Sequence, residues 1–227
     1  MKRSVCALVS GGLDSCVLVA ELAKTYRRVY PVFIRQGLVW ETAELCALRR
    51  FLPHVRHQPL TILHLPAGDV YGNHWSTTGR RVPGAKTRDE AVYLPGRNLM
   101  LLSKAAVFCE LHKIPVIAVG TLGHNPFPDA TPKFFADFAR VAGVALSFKF
   151  QISAPFRTLS KKKVIQRGRQ LPLHLSFSCV APRQGRHCGR CNKCAERRRA
   201  FRVAGVTDKT NYTAGDLKRG RALEAIS

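Results

Sequence analysis

Acidic residues are scarce in this chain. Fourteen Asp and Glu stand against 37 Lys and Arg over 227 residues, a formal charge of +23. A surplus of that size favours anionic ligands, ATP and nucleic acids among them. Aromatic rings are not interleaved among the late arginines, so the stacking that holds single-stranded bases is missing. Nucleic acid is therefore an admissible partner but not the favoured one. Long apolar runs are also missing. None approaches the roughly 20 residues that a membrane helix needs, although 46% of the residues are hydrophobic, enough for a core. The sequence enters an apolar strand within a few residues and leaves no room for a signal peptide, so a cytoplasmic enzyme is expected. Two familiar nucleotide loops are absent. No Gly-x-x-x-x-Gly-Lys-Ser/Thr and no Gly-x-Gly-x-x-Gly occurs, which excludes a Walker A site and a dinucleotide turn. With no internal repeat and no low-complexity linker, residues 1–227 are expected to form one α/β domain.

What is present begins at Ser10-Gly-Gly-Leu-Asp-Ser15. The stretch follows the apolar run 4–9, which reads as a buried parallel strand, and precedes 16–23, which reads as a helix. Glycines on a strand-to-helix turn let successive N–H groups converge on an anion, beside the partial positive charge of a helix start. Asp14 is an odd residue to face a phosphate unless Mg²⁺ lies between them. The plain alternative is a Gly-Gly turn with Asp and Ser capping a helix. The loop resembles the pyrophosphate-binding loop of the ATP pyrophosphatase superfamily, whose members cleave ATP between the α and β phosphates.

Strands and helices alternate beyond it. Strands are expected at 29–34, 60–65, 114–120 and 148–152, with Pro31 near a strand start or an edge. Helices are expected at 41–52, 99–112, 132–141 and 161–167, the last capped by Ser160 and the third opened by Pro132. Residues 66–91 read as a long polar loop. This order implies a doubly wound parallel sheet, with the ligand outside the strand C-termini.

Cys179, Cys188, Cys191 and Cys194 are spaced Cys-x8-Cys-x2-Cys-x2-Cys. Four thiolates suit tetrahedral Zn²⁺, and with no open position the site is structural. The basic flank Arg186, Arg190, Lys193 and Arg197 would offset the net charge of a zinc tetrathiolate. Two alternatives stay open: a redox-active or persulfide-carrying Cys-x2-Cys pair, and His187 in place of one sulfur. Cys6, Cys16, Cys46 and Cys109 sit in apolar segments and read as core residues.

Together, the N-terminal loop and the C-terminal zinc-binding segment (174–206) resemble the 7-cyano-7-deazaguanine synthase family. Tyr93-Leu-Pro-Gly-Arg-Asn98 is similar to its Pro-Gly-Arg-Asn segment, and Pro128-Asp129 followed by Pro132-Lys-Phe-Phe135 to its Pro-Asp-x-x-Pro-x-Phe. Leu159-Ser-Lys161 and the Arg-rich stretch 194–201 also match. Two departures fall at strand ends. Arg35-Gln-Gly-Leu38 stands where the family has Asp-Tyr-Gly-Gln, and Gly123 replaces an acid while Phe127 keeps a ring.

The resemblance implies a ligase that adenylates a deazapurine carboxylate and couples it with ammonia, giving an amide and then a nitrile. ATP, Mg²⁺ and structural Zn²⁺ are the implied cofactors, and a homodimer is expected. The implied ATP-binding stretch runs from Val9 through Ser10, Gly11, Gly12, Leu13, Asp14, Ser15, Cys16, Val17 and Leu18 to Val19. Asp14, Lys161 and Arg97 are the candidate catalytic contacts. Arg35, Gln36, Asn125, Phe127 and Asp129 are the candidate substrate wall, and His124 is a candidate general base. The departures leave room for a different amine or acid, or for a tRNA-modifying enzyme that shares the loop.

Overall fold

A computed structural model of the chain describes residues 2–123 and 125–213. Five parallel strands form one sheet in the order β3-β2-β1-β4-β5: β1 (Lys2–Leu8), β2 (Tyr26–Arg35), β3 (Thr61–His64), β4 (Val116–Ala118) and β5 (Gln151–Ser153). The doubly wound parallel sheet expected from the alternation is present. Side chains alternate along the central strands. Val5, Ala7 and Phe33 pack with helices α1 (Leu13–Thr25), α7 (Lys161–Arg167) and α8 (Asn192–Ala204), while Cys6, Val32 and Ile34 pack with α5 (Arg97–Leu111) and α6 (Pro132–Ala145). A third cluster joins Trp40 and Ala47 of the α2 region (α2, Glu41–Phe51) to the four late cysteines. No helix among the described residues is long and apolar enough to cross a membrane.

Several boundaries differ from the sequence reading for local reasons. Pro31 is neither at a strand start nor at an edge, because it pairs with Ala7 inside β2, between β1 and β3. The β2–β3 ladder begins only at Val32 opposite Thr61. The donor that proline lacks thus faces the side where β3 has not yet started. The stretch 66–91 is not featureless. It contains the single-turn helices α3 (Gly68–Tyr71) and α4 (Trp75–Thr78) and the start of a 3-10 turn, Asp89–Val92. Ser160 accepts from Lys163 N, so α7 begins where its cap foretold, and α6 begins at the expected Pro132, with Thr131 accepting from Phe134 N. The start of α5 has a left-handed Gly96 and no cap of its own. Asp129 supplies one from across the chain, accepting from Asn98 N at 2.8 Å.

Helix α8 is fixed by one buried guanidinium. Arg197 is 1% exposed and donates to Leu173 O, Ser176 Oγ, Ser178 Oγ and Thr210 Oγ1 at 2.8–3.1 Å. Lysine cannot reproduce that fan of donors. Arg197→Lys should leave at least one acceptor unpaired, at about 1–3 kcal/mol for each, and lower the melting temperature by several degrees. A variant that melts with the wild type would show that the fan does not seat the helix.

Candidate active site and metal centre

A cleft of about 340 Å³ opens at the C-terminal ends of β1 and β4, where strand order reverses. That crevice is the general ligand site of such sheets. The loop 10–15 forms its floor. Gly12, in extended conformation, leads into α1 with no side-chain cap, so the first N–H groups of a 13-residue helix are free of a capping side chain and face an anion's position. Ser15 Oγ donates to Gly12 O at 3.0 Å and Ser10 Oγ accepts from Gly12 N at 3.2 Å, which closes the loop on itself. Gly11 has φ +75°, and a Cβ there would lie 2.3 Å from the Glu44 carbonyl. Only glycine lets α2 pack this closely on the loop.

Of the expected ATP-binding stretch, Val9, Ser10, Gly12, Leu13, Asp14 and Ser15 line the cleft and Gly11 does not. Cys16, Val17, Leu18 and Val19 do not. They are fully buried on α1 and belong to the core. They hold the loop's helix rather than a ligand.

Asp14 meets the C-terminal half of the chain here. Lys161 Nζ lies 2.5 Å from Asp14 Oδ2 and 3.5 Å from Glu196 Oε1, and Lys193 Nζ lies 2.7 Å from Glu196 Oε2. Burial opposes the Lys161 charge, but Asp14 and Glu196 outweigh it and hold the ammonium above its ordinary pKa. Burial likewise opposes the Glu196 charge, yet Lys161 and Lys193 bring that carboxyl down to about 2. Asp14 Oδ1 is buried with no partner. Sequence reasoning found Asp14 and Lys161 and missed Glu196 and Lys193. The available signal was that Glu196 is the single acid between 174 and 206.

Another part of the cleft is aromatic. Trp40 stacks on Trp75 at 5.5 Å and Tyr93 on Phe127 at 4.9 Å, and all four rings line the cavity. Asn125, Phe127 and Asp129 of the expected substrate wall line it as well. Asp129 is committed to Asn98, through both N–H and Nδ2, and Asn125 Oδ1 accepts from Phe127 N. Arg35 and Gln36 are not part of the lining. Gln36 is fully buried and accepts from Arg97 Nε at 3.1 Å, so it positions Arg97, which does line the cleft. Gly123 is off the lining too. A Cβ there would lie 2.6 Å from Arg157 O, so the backbone leaves no room for an acid. His124 lies outside the described residues.

Two further carboxyls on α2 were missed. Glu41 accepts from Gln36 N and Gly37 N at 2.6 and 3.0 Å. Glu44 lines the cleft, and its Oε2 is buried without a partner. Its place on the stripe of Ala47, Leu48 and Phe51 was the signal, an acid on a buried helix face.

The sulfurs of Cys179, Cys188, Cys191 and Cys194 all lie within 4.8 Å of one another, with 3.8 Å between Cys179 and Cys191 and 4.0 Å between Cys188 and Cys194. Metal–sulfur bonds of about 2.3 Å separate the sulfurs of a tetrahedral site by about 3.8 Å, so the cluster fits a single ion. Amides of Ala181, Cys188 and Cys191 point at sulfurs at 3.3 Å, which suits thiolates. All four residues are at most 3% exposed, which denies the access that thiol exchange needs. His187 is not a ligand. Its Nε2 accepts from Ser178 N at 3.1 Å, and its ring packs on Phe177. Burial, then Arg197, lowers its pKa to about 3.

Glu44 generates a stability prediction. Burial raises its pKa from 4.5 to about 8, with Arg97 pulling it partly back and Glu41 adding to the rise. Between those values the folded chain keeps a proton that the unfolded chain has released, so this carboxyl's contribution declines as pH rises through the window. The melting temperature of the wild type should therefore fall relative to Glu44→Gln from about pH 5 to about pH 8. A constant gap across that range would contradict it.

Comparison with known proteins places this geometry. A 7-cyano-7-deazaguanine synthase of Legionella pneumophila (strain Corby) is 32% identical over 93% of this chain and 97% of its own. One from Aromatoleum aromaticum is 33% identical over 93% and 98%. Among solved structures, the U34-tRNA thiolase NcsA from Methanococcus maripaludis aligns with a TM-score of 0.46 at 13% identity, over 92% of this chain and 65% of that one, too loosely to bear on function. The family described as queuosine biosynthesis protein QueC matches residues 4–205, nearly the whole described fold with both its loop and its cysteines, and the chain belongs to that family.

Proposed function

We propose that the protein is an ATP-dependent carbon–nitrogen ligase of deazapurine biosynthesis. It adenylates a carboxylate, in the simplest case 7-carboxy-7-deazaguanine, and couples it with ammonia to an amide and then to the nitrile 7-cyano-7-deazaguanine. AMP and pyrophosphate leave. The observation that carries the reading is one cleft with an anion loop and Lys161 at one part and two stacked aromatic pairs at another, in a QueC-family chain. The reading makes it a cytoplasmic enzyme and a homodimer.

An acid oxygen attacks the α-phosphorus and the pyrophosphate bond breaks. The free N–H groups of α1 and the Lys161 ammonium stabilise the charge that builds on the leaving group. Ammonia then attacks the acyl carbon, and AMP departs with the bonding pair. For the nitrile, the amide oxygen takes a second adenylyl group and leaves with it. Both reacting groups are substrates, so the chain's task is alignment and charge stabilisation. The orphaned Asp14 Oδ1 fits a divalent cation, and Mg²⁺ held there would neutralise phosphate charge. Zn²⁺ suits the four buried cysteines, which sit at the start of the helix that carries Lys193 and Glu196.

A second reading keeps the ATP chemistry and changes the acceptor or the amine. What favours it is that neither position brings an acid to the cleft, since Arg35 and Gly123 lie off the lining and the Arg157 carbonyl leaves no room for a side chain at 123.

Two outcomes check the proposal. With the acid and ammonia, ATP should yield AMP and pyrophosphate, and Asp14→Ala should cut turnover by about 10²-fold or more; ADP and phosphate as products would refute it. Purified protein should hold one zinc per chain, and Cys191→Ser should lose the metal and melt earlier, since metal binding is coupled to folding. A stoichiometry near zero in protein purified without chelator would refute the structural zinc.

A further inference from the structure

Glu44 has no structural employment. Glu41, one turn earlier on the same face, spends both oxygens on the amides of Gln36 and Gly37. Glu44 lines the cleft with Oε2 buried and unpartnered. Burying such a group without a hydrogen bond destabilises a fold, so its retention in a cavity wall points to a ligand. Its backbone carbonyl touches Gly11 of the anion loop, and Trp40, stacked on Trp75, caps the same helix. The helix that carries the carboxyl therefore touches both the anion loop and an aromatic wall of the cleft.

We propose that Glu44 is the specificity residue of the acceptor subsite, reading adjacent N–H donors on the edge of a planar heteroaromatic acid held against the aromatic walls. This rests on the ligase reading above and names the group that selects its acid. Flat rings match stacked aromatic walls, and a carboxylate accepts two parallel N–H bonds from a ring nitrogen and its neighbouring exocyclic amine. An acid lacking the amine leaves one oxygen unpaired. Three ionisable groups act on this carboxyl: Arg97 from α5, Glu41 from α2 and Cys16 from α1. Only Arg97 favours its ionised form, and paired donors from a ligand add to that pull. Binding of the two-donor acid should then release a proton from Glu44 at neutral pH.

The test is calorimetric binding of 7-carboxy-7-deazaguanine, and of the same acid without its exocyclic amine, to the wild type and Glu44→Gln. ATP–pyrophosphate exchange is measured in parallel. The wild type should prefer the amine-bearing acid about tenfold or more, with proton release on binding. Glu44→Gln should lose most of that preference and the proton release while keeping its KM for ATP and melting no earlier. An unchanged preference in the variant, no binding by the wild type, or an earlier melt with both acids weakened equally would overturn the assignment. Selective binding without exchange would overturn the ligase reading and leave the Glu44 assignment standing.

Discussion

The Lys161 ammonium, 20% exposed, lies between Asp14 at 2.5 Å and Glu196 at 3.5 Å, and so ties together chain regions that are far apart in sequence. Asp14 opens α1 beneath the anion loop, Lys161 opens α7, and Glu196 lies in α8. Removing Lys161 leaves Asp14 enclosed without a cation, whereas Glu196 keeps Lys193, and an enclosed charge left unpaired costs more than the attraction itself contributes. The geometry of the loop thus depends on where α8 sits. That depends in turn on the Arg197 hydrogen bonds and on the cysteines, since Cys191 is the helix's N-cap. The cysteine cluster is in this way a support of the Asp14 end of the cleft.

The opposite wall has its own constraint. Gly11 packs against the Glu44 carbonyl, so α2 cannot shift without moving the loop. Trp40 and Glu44 travel with that helix. The wall that carries Trp40 and Glu44 is therefore coupled to the loop through one backbone contact. The departures at Arg35 and Gly123 lie behind this surface rather than on it. Arg35 ends β2 outside the lining, and Gly123 packs on Arg157.

The features legible in sequence were those whose geometry is set within a few residues. The loop 10–15 and the cysteine cluster carry their spacing in the chain, and α7 spans the residues that its Ser160 cap announced, Lys161–Arg167. Pro31 misled because its tolerance depends on β3 starting one residue later, a fact of another strand. Residues 16–19 belonged to the stretch that the resemblance implied for ATP, whereas α1 is buried on all sides there and its side chains fill the core. Gln36 lies behind the lining, and Asp129 lies on it but with its carboxylate committed. Each is occupied by a partner about 61 or 31 residues away, Arg97 or Asn98. Glu44 stood out only as an acid on a buried helix face and Glu196 as a lone acid in a basic segment; that both border one cleft depends on segments distant in the chain.

The central claim is that a carboxylate oxygen attacks the α-phosphorus of ATP in this cleft. It is tested most directly by running the reaction with an acceptor acid labelled with oxygen-18 in its carboxyl group and examining the AMP by mass spectrometry. The account predicts one labelled oxygen in the AMP formed in the amide-forming step, because the attacking oxygen leaves with phosphorus when ammonia displaces it. AMP without label, or label found in inorganic phosphate, would contradict it.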